Sequence, residues 1–224
     1  MLYAGGEAKY DKAKIQTAIL KHERYPHKQR IQAAAGDDGR DSGHLEIILQ
    51  AKAQMYREGK HQWDENYPTV PILENDVRRG WGYVLVPEKD TPVQNVYDEA
   101  TPFFNDHTGT DNGTSRQDII AYGAVVFDGE PAYKGLWDGQ WLSEQPYVVL
   151  HRLAVADRWK RQGMAVRYMQ AVCDLALSRG IRSFKVDTNY DNFYMQRVFS
   201  RLGFTYCGRI RYDAGERMAY EKLL

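Results

Sequence analysis

The residues from Lys160 to Ala165, KRQGMA, sit between an apolar run and a long helical pattern, and their types suit the binding of an anion. A basic, glycine-containing turn that opens a helix offers unpaired backbone N–H groups and the positive end of the helix dipole. Gly163 leaves room where the backbone must approach a phosphate, Ala165 keeps the next contact small, and Lys160 and Arg161 add charge at the rim. A pyrophosphate fits such a turn. Upstream, His151 lies four residues before Val155, and strand alternation would put it on one face with Leu153 and Val155. A histidine there is either a proton relay working near neutrality or a core side chain bonded to backbone.

Other chemistries find less support. No Gly-Lys-Ser/Thr follows the turn and no G-x-G-x-x-G is present, which counts against a P-loop or a dinucleotide fold. Cys173 and Cys207 lack metal-ligand spacing with any histidine, and the six histidines are scattered, so no metal is expected. Cys173 shares a helical face with Ala165, Tyr168, Met169, Val172 and Ala176, which reads as core rather than nucleophile. Asp187, at the end of a strand, could assist a base or serve as a satisfied structural carboxylate.

Positioning these residues calls for an α/β domain. Tyr147–Val155 reads as a buried strand, Gln162–Arg179 as a helix closed by Gly180, Ser183–Asp187 as a strand, and Asn192 to Leu202 as a helix. Two final strands flank a turn at Asp213–Gly215. Earlier, Arg30 to Ala35 reads as a short strand and Gly36–Gly43 as a turn. Leu45, Ile48, Leu49, Lys52, Met55 and Tyr56 trace one helix face that Gly59 stops. A shorter helix follows Pro71 and ends near Gly80, and Trp81–Val86 and Ile119–Phe127 read as strands, separated by a long polar loop over 88–118. Residues 7–23 form an amphipathic pattern that Pro26 breaks, giving an N-terminal helical extension over 1–28 that packs on the 29–224 domain or on a second subunit, so a homodimer is open.

The 224 residues can bury a full core, and Lys+Arg and Asp+Glu balance at 30 each. A neutral chain has no global field for nucleic acid or an anionic membrane. No apolar run approaches a bilayer span, and the N-terminus is too polar for a signal peptide, so a cytoplasmic protein is expected.

In this segment the sequence resembles the GNAT acetyltransferases. Their signature is a strand ending in a small–apolar pair, then Q/R-x-x-G-x-G/A. Lys160, Arg161, Gln162, Gly163, Met164 and Ala165 match it with lysine in place of Gln/Arg at the first position. That exchange keeps the charge and loses the planar fork. The family's N-x-x-A-x-x-x-Y-x-x-x-G-F run falls on Asn192, Met195, Phe199, Gly203 and Phe204.

The resemblance implies a mixed, mostly antiparallel sheet flanked by helices, with acetyl-CoA as co-substrate. Its pyrophosphate would lie on the 160–165 turn, its pantetheine against Leu153, Ala154 and Val155, and its arm near Asn192 and Met195. The tyrosine that usually protonates the leaving thiolate is replaced by Phe199, which removes a general acid there. Serotonin N-acetyltransferase, a member of the family, carries a catalytic histidine in the corresponding L-H-x-L-A-V run, which implies a base at His151. Trp63 and Tyr67 fall where family members line the acceptor pocket. Tyr133 and Trp141, in the loop GEPAYKGLWDGQWLSEQP, would either wall that pocket or pack. Three segments, QWDENYP, YVVLHRLAV and RMAYEKLL, look like a bacterial subgroup of the family.

The expected activity is therefore direct acetyl transfer to a primary amine of a small molecule or peptide. A non-catalytic acyl-CoA sensor of the same fold is the alternative; Phe199 favours it and His151 opposes it.

Overall fold

A computed structural model describes residues 29–34, 43–60, 62–87 and 119–224. The helical pattern over 7–23, residues 36–42 of the glycine-rich turn and the 88–118 loop lie outside the described residues. The described chain folds in the order β1 (Gln29–Ala33), α1 (Gly43–Arg57), α2 (Val70–Arg78), β2 (Gly82–Pro87), β3 (Ala121–Val126), β4 (Val148–Val155), α3 (Met164–Ser178), β5 (Ser183–Thr188), α4 (Phe193–Leu202), β6 (Thr205–Tyr212) and β7 (Gly215–Leu223). Short 3-10 turns at Pro131–Gly135 and Asp157–Trp159, which the sequence patterns do not announce, complete it.

The strands make one sheet in the order β1-β2-β3-β4-β5-β7-β6. Only β4 and β5 run parallel, and they pair at just two positions, Val148 with Phe184 and Val149 with Lys185. Beyond those, β4 continues to Val155 against β3 while β5 continues to Thr188 against β7. The sheet therefore opens into a wedge between its two central strands.

Helices cover the two faces unequally. On one face α3 presents Met164, Ala165, Tyr168, Met169, Val172, Cys173 and Ala176 as a continuous buried stripe. That stripe packs, with Val198 and Phe199 of α4, on Leu150, Phe184, Val186 and Tyr220 of the sheet. On the other face Ile47, Ile48 and Ala51 of α1 and Leu73 of α2 pack on Val84, Val86, Tyr122 and Ala154. The rest of that face, around Val126, Val149, Ile210 and Ala219, is covered by the 129–147 segment through Tyr133, Leu136, Trp141 and Tyr147.

A buried carboxylate fastens that segment. Glu221 accepts hydrogen bonds from the N–H groups of Leu142 and Ser143 and from the hydroxyls of Ser143 and Ser183. Beside it the ammonium of Lys185 lies 4.3 Å and 4.2 Å from the rings of Trp141 and Tyr147. A fully buried carboxylate with four donors and a cation nearby meets the condition for burying charge at tolerable cost.

The most consequential irregularity is a bulge in β4. Ala124 pairs with His151 and Tyr122 with Ala154, so Arg152 and Leu153 together oppose Gly123. Arg152 adopts the left-handed conformation at φ 55°. The extra residue reverses the alternation: Leu150, Leu153 and Val155 pack on the α3 face, whereas Ala154 faces α1. His151, next to Leu150, consequently lies on the face opposite Leu153 and Val155. The expectation that the three share a face fails because simple alternation holds only along an unbulged strand. Gly123 allows the close approach, since a Cβ there would lie 2.9 Å from the Tyr168 hydroxyl. That hydroxyl instead reaches the carbonyls of Tyr83 and Gly123 at 3.0 and 3.1 Å, pinning β2 and β3 beside the bulge.

Candidate active site

A cavity of about 480 Å³ occupies the wedge and runs through the sheet from one face to the other. Its α3-side lining is apolar, with Leu150, Leu153, Val186, Met195 and Phe199, and Asn192 at its edge. Its other side is polar and carries Glu130, His151, Arg152, Asp187, Tyr212 and Arg217. One end of the space thus suits a thin, flexible chain with amide groups, and the other suits a polar, ionisable reactant.

His151 is the centre of the polar side. Its Nε2 lies 2.9 Å from Oε2 of Glu130, and both side chains are largely buried. Burial alone would raise the Glu130 carboxyl, but the hydrogen bond to His151, the N–H of Ala132 and the charges of His151 and Arg152 outweigh it and hold the group below the usual carboxylate value. An ionised Glu130 can only accept, so Nε2 carries the hydrogen and the neutral ring's lone pair is on Nδ1. The contact fixes the orientation of the ring. Glu130 itself is held because it caps the 3-10 turn, accepting from Ala132 N–H at 3.1 Å.

Asp187, next to the last residue of β5, stands opposite Ala219 in the middle of β7. Its Oδ1 accepts from the hydroxyls of Tyr133 at 2.9 Å and Tyr212 at 3.1 Å. Burial raises its carboxyl, and the nearby His151, both tyrosines and Arg217 offset only part of that rise. Each tyrosine hydroxyl is pushed upward, first by burial and then by the Asp187 charge, so both stay protonated donors.

A third network braces the bulge. Arg152 donates from Nε and Nη2 to the two oxygens of Asp76, at 2.8 and 2.6 Å, and from Nη1 to the Tyr67 hydroxyl at 3.0 Å. Asp76, on α2 and 1% exposed, also accepts from Tyr122 at 2.9 Å. A planar fork on a buried carboxylate is well suited to hold a residue at positive φ, a conformation worth about 1–3 kcal/mol of strain.

On the α3 side, the chain leaves β4, turns through Asp157–Trp159 and enters α3 at Gly163, which is left-handed at φ 77°. A Cβ added at Gly163 would meet nothing within 4 Å, so open space lies in front of the turn. Gly163 provides no side-chain cap, leaving the first-turn amides of α3 without a partner inside the helix. Lys160 differs from its expected role: its ammonium is engaged by Gln54 on α1 and by Asp157, so it fastens the turn to α1. Gln162 is likewise spent locally, donating to the Arg158 carbonyl at 2.8 Å. Arg161 is exposed and, at φ 62°, shapes the turn. Met164 and Ala165 are buried under the helix. What the turn offers a ligand is therefore backbone and space.

The remaining expected residues divide. Trp63, buried, and Tyr67, partly exposed, both line the cavity. Tyr133 and Trp141 stand apart from its lining: their rings pack 5.1 Å apart behind the wall, with Trp141 Nε1 donating to the Tyr133 carbonyl. Of the two readings for that loop, packing describes them, although Tyr133 acts on the site through Asp187. Asn192 caps α4, accepting from Met195 N–H at 3.3 Å. Gly203 ends that helix left-handed, and Phe204 packs on Phe199 and Phe184. Cys173 and Cys207 are buried, and burial raises both thiols, which fits core residues. Glu130, Asp76, Arg152, Tyr212 and Arg217 were not anticipated as site residues. Asp187, a carboxylate at a strand end, is one residue of that side that the sequence does single out.

Among the described residues no group of His, Cys, Asp and Glu could hold a metal ion, and no helix is long and apolar enough to cross a membrane. The model of the acetyltransferase (GNAT) family matches residues 60–204. No curated protein matches the chain. Among solved structures, it is similar to a GNAT-family acetyltransferase from Streptococcus agalactiae 2603, with 24% identity, a TM-score of 0.66 and coverage of 88% of this chain and 95% of that one. A GNAT-family acetyltransferase from Listeria monocytogenes 4b F2365 follows at 14% identity and a TM-score of 0.61, with coverage of 88% and 95%. The NatC complex bound to Gag peptide and CoA shares the fold at 12% identity and a TM-score of 0.50, covering 88% of this chain and 99% of that one.

Proposed function

The chain belongs to the acetyltransferase (GNAT) family, and from that premise we propose that it moves an acetyl group from acetyl-CoA directly to a primary amine, with His151 as the base. The observation that carries this reading is the His151–Glu130 pair, 2.9 Å apart, on the polar side of a cavity that crosses the sheet. Two features of the opposite side support acetyl-CoA there: an apolar slot beside the unpaired edge of β4, and, farther along the chain, a left-handed glycine with open space before it. Leu153, Ala154 and Val155 would align the pantetheine as an added strand, and the 160–165 backbone would hold the pyrophosphate. The CoA bound to the NatC complex lends the cofactor assignment analogy alone.

The acceptor arrives as an ammonium with a pKa near ~10 and must lose a proton before it can attack. Nδ1 of His151 takes that proton while Glu130 holds Nε2–H. The amine nitrogen then bonds to the acetyl carbon, the carbon–sulfur bond breaks with its electron pair leaving on sulfur, and the nitrogen gives up its second proton to water. The net change is ammonium plus thioester to amide plus thiol plus one released proton. With Phe199 at the usual acid's position, sulfur leaves as thiolate, which a reference thiol pKa near ~8.5 permits, or takes a proton from water. Backbone N–H groups along the open edge of β4 would polarise the carbonyl.

Neither buried cysteine is placed for an acetyl-enzyme. The sensor alternative rests on Phe199, but an oriented base has no use in a protein that only binds. Thiol release from acetyl-CoA against a broad amine panel tests the proposal: amine-dependent release supports it, and tight acetyl-CoA binding with no amine stimulating release supports the sensor.

A further inference from the structure

Among the described residues, Glu130, Asp187 and Arg152 on the polar side of the cavity each have a side-chain hydrogen-bond partner, and Arg217 has none, although its charge reaches Asp187. Glu130 is occupied by His151, Asp187 by two tyrosine hydroxyls, and Arg152 by Asp76 and Tyr67. Arg217 lines the same cavity, is 9% exposed, and makes its hydrogen bond, at 3.0 Å, to the carbonyl of its neighbour Glu216. Among the described residues no carboxylate approaches it closely enough for an ion pair. A guanidinium stays charged at any physiological pH, so its burial without a counter-ion in contact costs stability that an incoming anion would offset.

Register fixes where that anion would sit. Ala219 pairs with Asp187, and Arg217 is two residues from Ala219 on the same strand, hence on the same face. By strand spacings Arg217 lies roughly 8 Å from Asp187, Cα to Cα. That face also carries His151 and Tyr212, whereas α3, which the 160–165 turn opens, packs on the opposite one. The phosphates of an acyl-CoA would therefore fall on the far side of the sheet, and Arg217 is left to face the acceptor.

Resting on the amine-transfer reading above, we infer that the acceptor carries a carboxylate a few bonds from its reactive amine, and that Arg217 binds it. The amine end lies against His151 and Glu130, and the carboxylate takes the fork of Arg217 in place of the missing counter-ion. Amino acids are the simplest compounds of this class.

The test uses the full chain with the L-α-amino acids and the ω-amino acids from glycine to 6-aminohexanoate, each beside its primary carboxamide, and with spermidine as a polycation. Carboxylates should exceed their carboxamides by at least ~10-fold in kcat/KM, the span of one charge-assisted hydrogen bond. Arg217→Gln should abolish that preference through KM while leaving the KM for acetyl-CoA unchanged, and Arg217→Lys should restore part of it. Calorimetric titration of the same pairs into the CoA-saturated protein reads the site without chemistry. Carboxylate-selective binding that Arg217→Gln removes, with no amine turned over, keeps the anion site and overturns amine transfer. Turnover with equal or faster use of carboxamides or spermidine keeps amine transfer and overturns the anion site, as does an Arg217→Gln variant that slows both members of a pair alike. Absence of both selectivity and turnover overturns both.

Discussion

The turn that opens α3 comes from one unbroken run of sequence, Val155 to Ala165, whereas the wall around His151 draws on Glu130, Arg152, Asp187, Tyr212 and Arg217 from five strands and loops, with Asp76 of α2 bracing it from behind. The first offers a ligand backbone and open space; the second offers charge held by hydrogen bonds. A backbone site needs only a glycine at the right place, so its side chains are free to serve the fold, as Lys160 does by fastening to Gln54. A side-chain site needs partners for its buried charges, and these come from distant parts of the chain or, as inferred for Arg217, from the ligand. Failure should therefore take different forms in the two regions.

The largest effect is expected on the turn. Gly163→Glu puts a side chain and a negative charge into the space before the α3 N-terminus, and we expect acetyl-CoA affinity to fall by ~10³-fold or more, like charge at a helix N-terminus adding to steric exclusion. The fold should survive, because a Cβ there meets nothing and the left-handed φ costs only about 1–2 kcal/mol. Calorimetry on the folded variant checks this; unchanged affinity would remove the turn from the cofactor site.

On the wall the leading effect should be on stability. Arg152→Ala strands the Asp76 carboxylate, 1% exposed, and relaxes the bulge, so a loss of about 3–5 kcal/mol in denaturant unfolding is expected. A loss below about 1 kcal/mol, the scale of surface pairs, would mean that the network does not brace the site.

A smaller effect should depend on pH. The Asp187 carboxyl is raised in the folded protein, so the fold binds its proton more tightly than the unfolded chain does. Its contribution to stability is fullest below the unfolded value near ~3.9 and is lost as pH rises through the folded value. Asp187→Asn removes this dependence, so the variant should gain in Tm relative to wild type as pH rises and lose that advantage on acidification. A Tm difference independent of pH would contradict the assignment. The smallest effect belongs to Cys173→Ala with Cys207→Ala, which should retain turnover within a few-fold, since both thiols are buried in packing. A covalently acetylated cysteine turning over at the catalytic rate would overturn direct transfer.

The same contrast explains what could be read from the sequence. The strands and helices of the second half, and the turn at Gly163, follow from periodicity and from a contiguous motif, and the structure places them as expected. Phe199 and Gly203 were readable too, though their duties are core packing and helix termination. The bulge was not readable, because it arises where Arg152 finds Asp76 across a sequence separation of 76 residues. For the same reason simple alternation puts His151 on the wrong face, and nothing local points to Glu130, its partner 21 residues away. Contacts between distant segments leave no local period, so a wall built from them emerges only once the chain is folded.

Direct acetyl transfer as proposed depends on proton transfer at His151. Single-turnover acetyl transfer at saturating acetyl-CoA and amine, measured across pH for wild type and His151→Ala, addresses it directly. We expect the variant to transfer ~10²-fold or more slowly, the usual span for a general base, to bind acetyl-CoA as wild type does, and to lose the acidic limb of the rate profile. A variant that keeps both its rate and that limb would place the base elsewhere and contradict the role assigned to the His151–Glu130 pair.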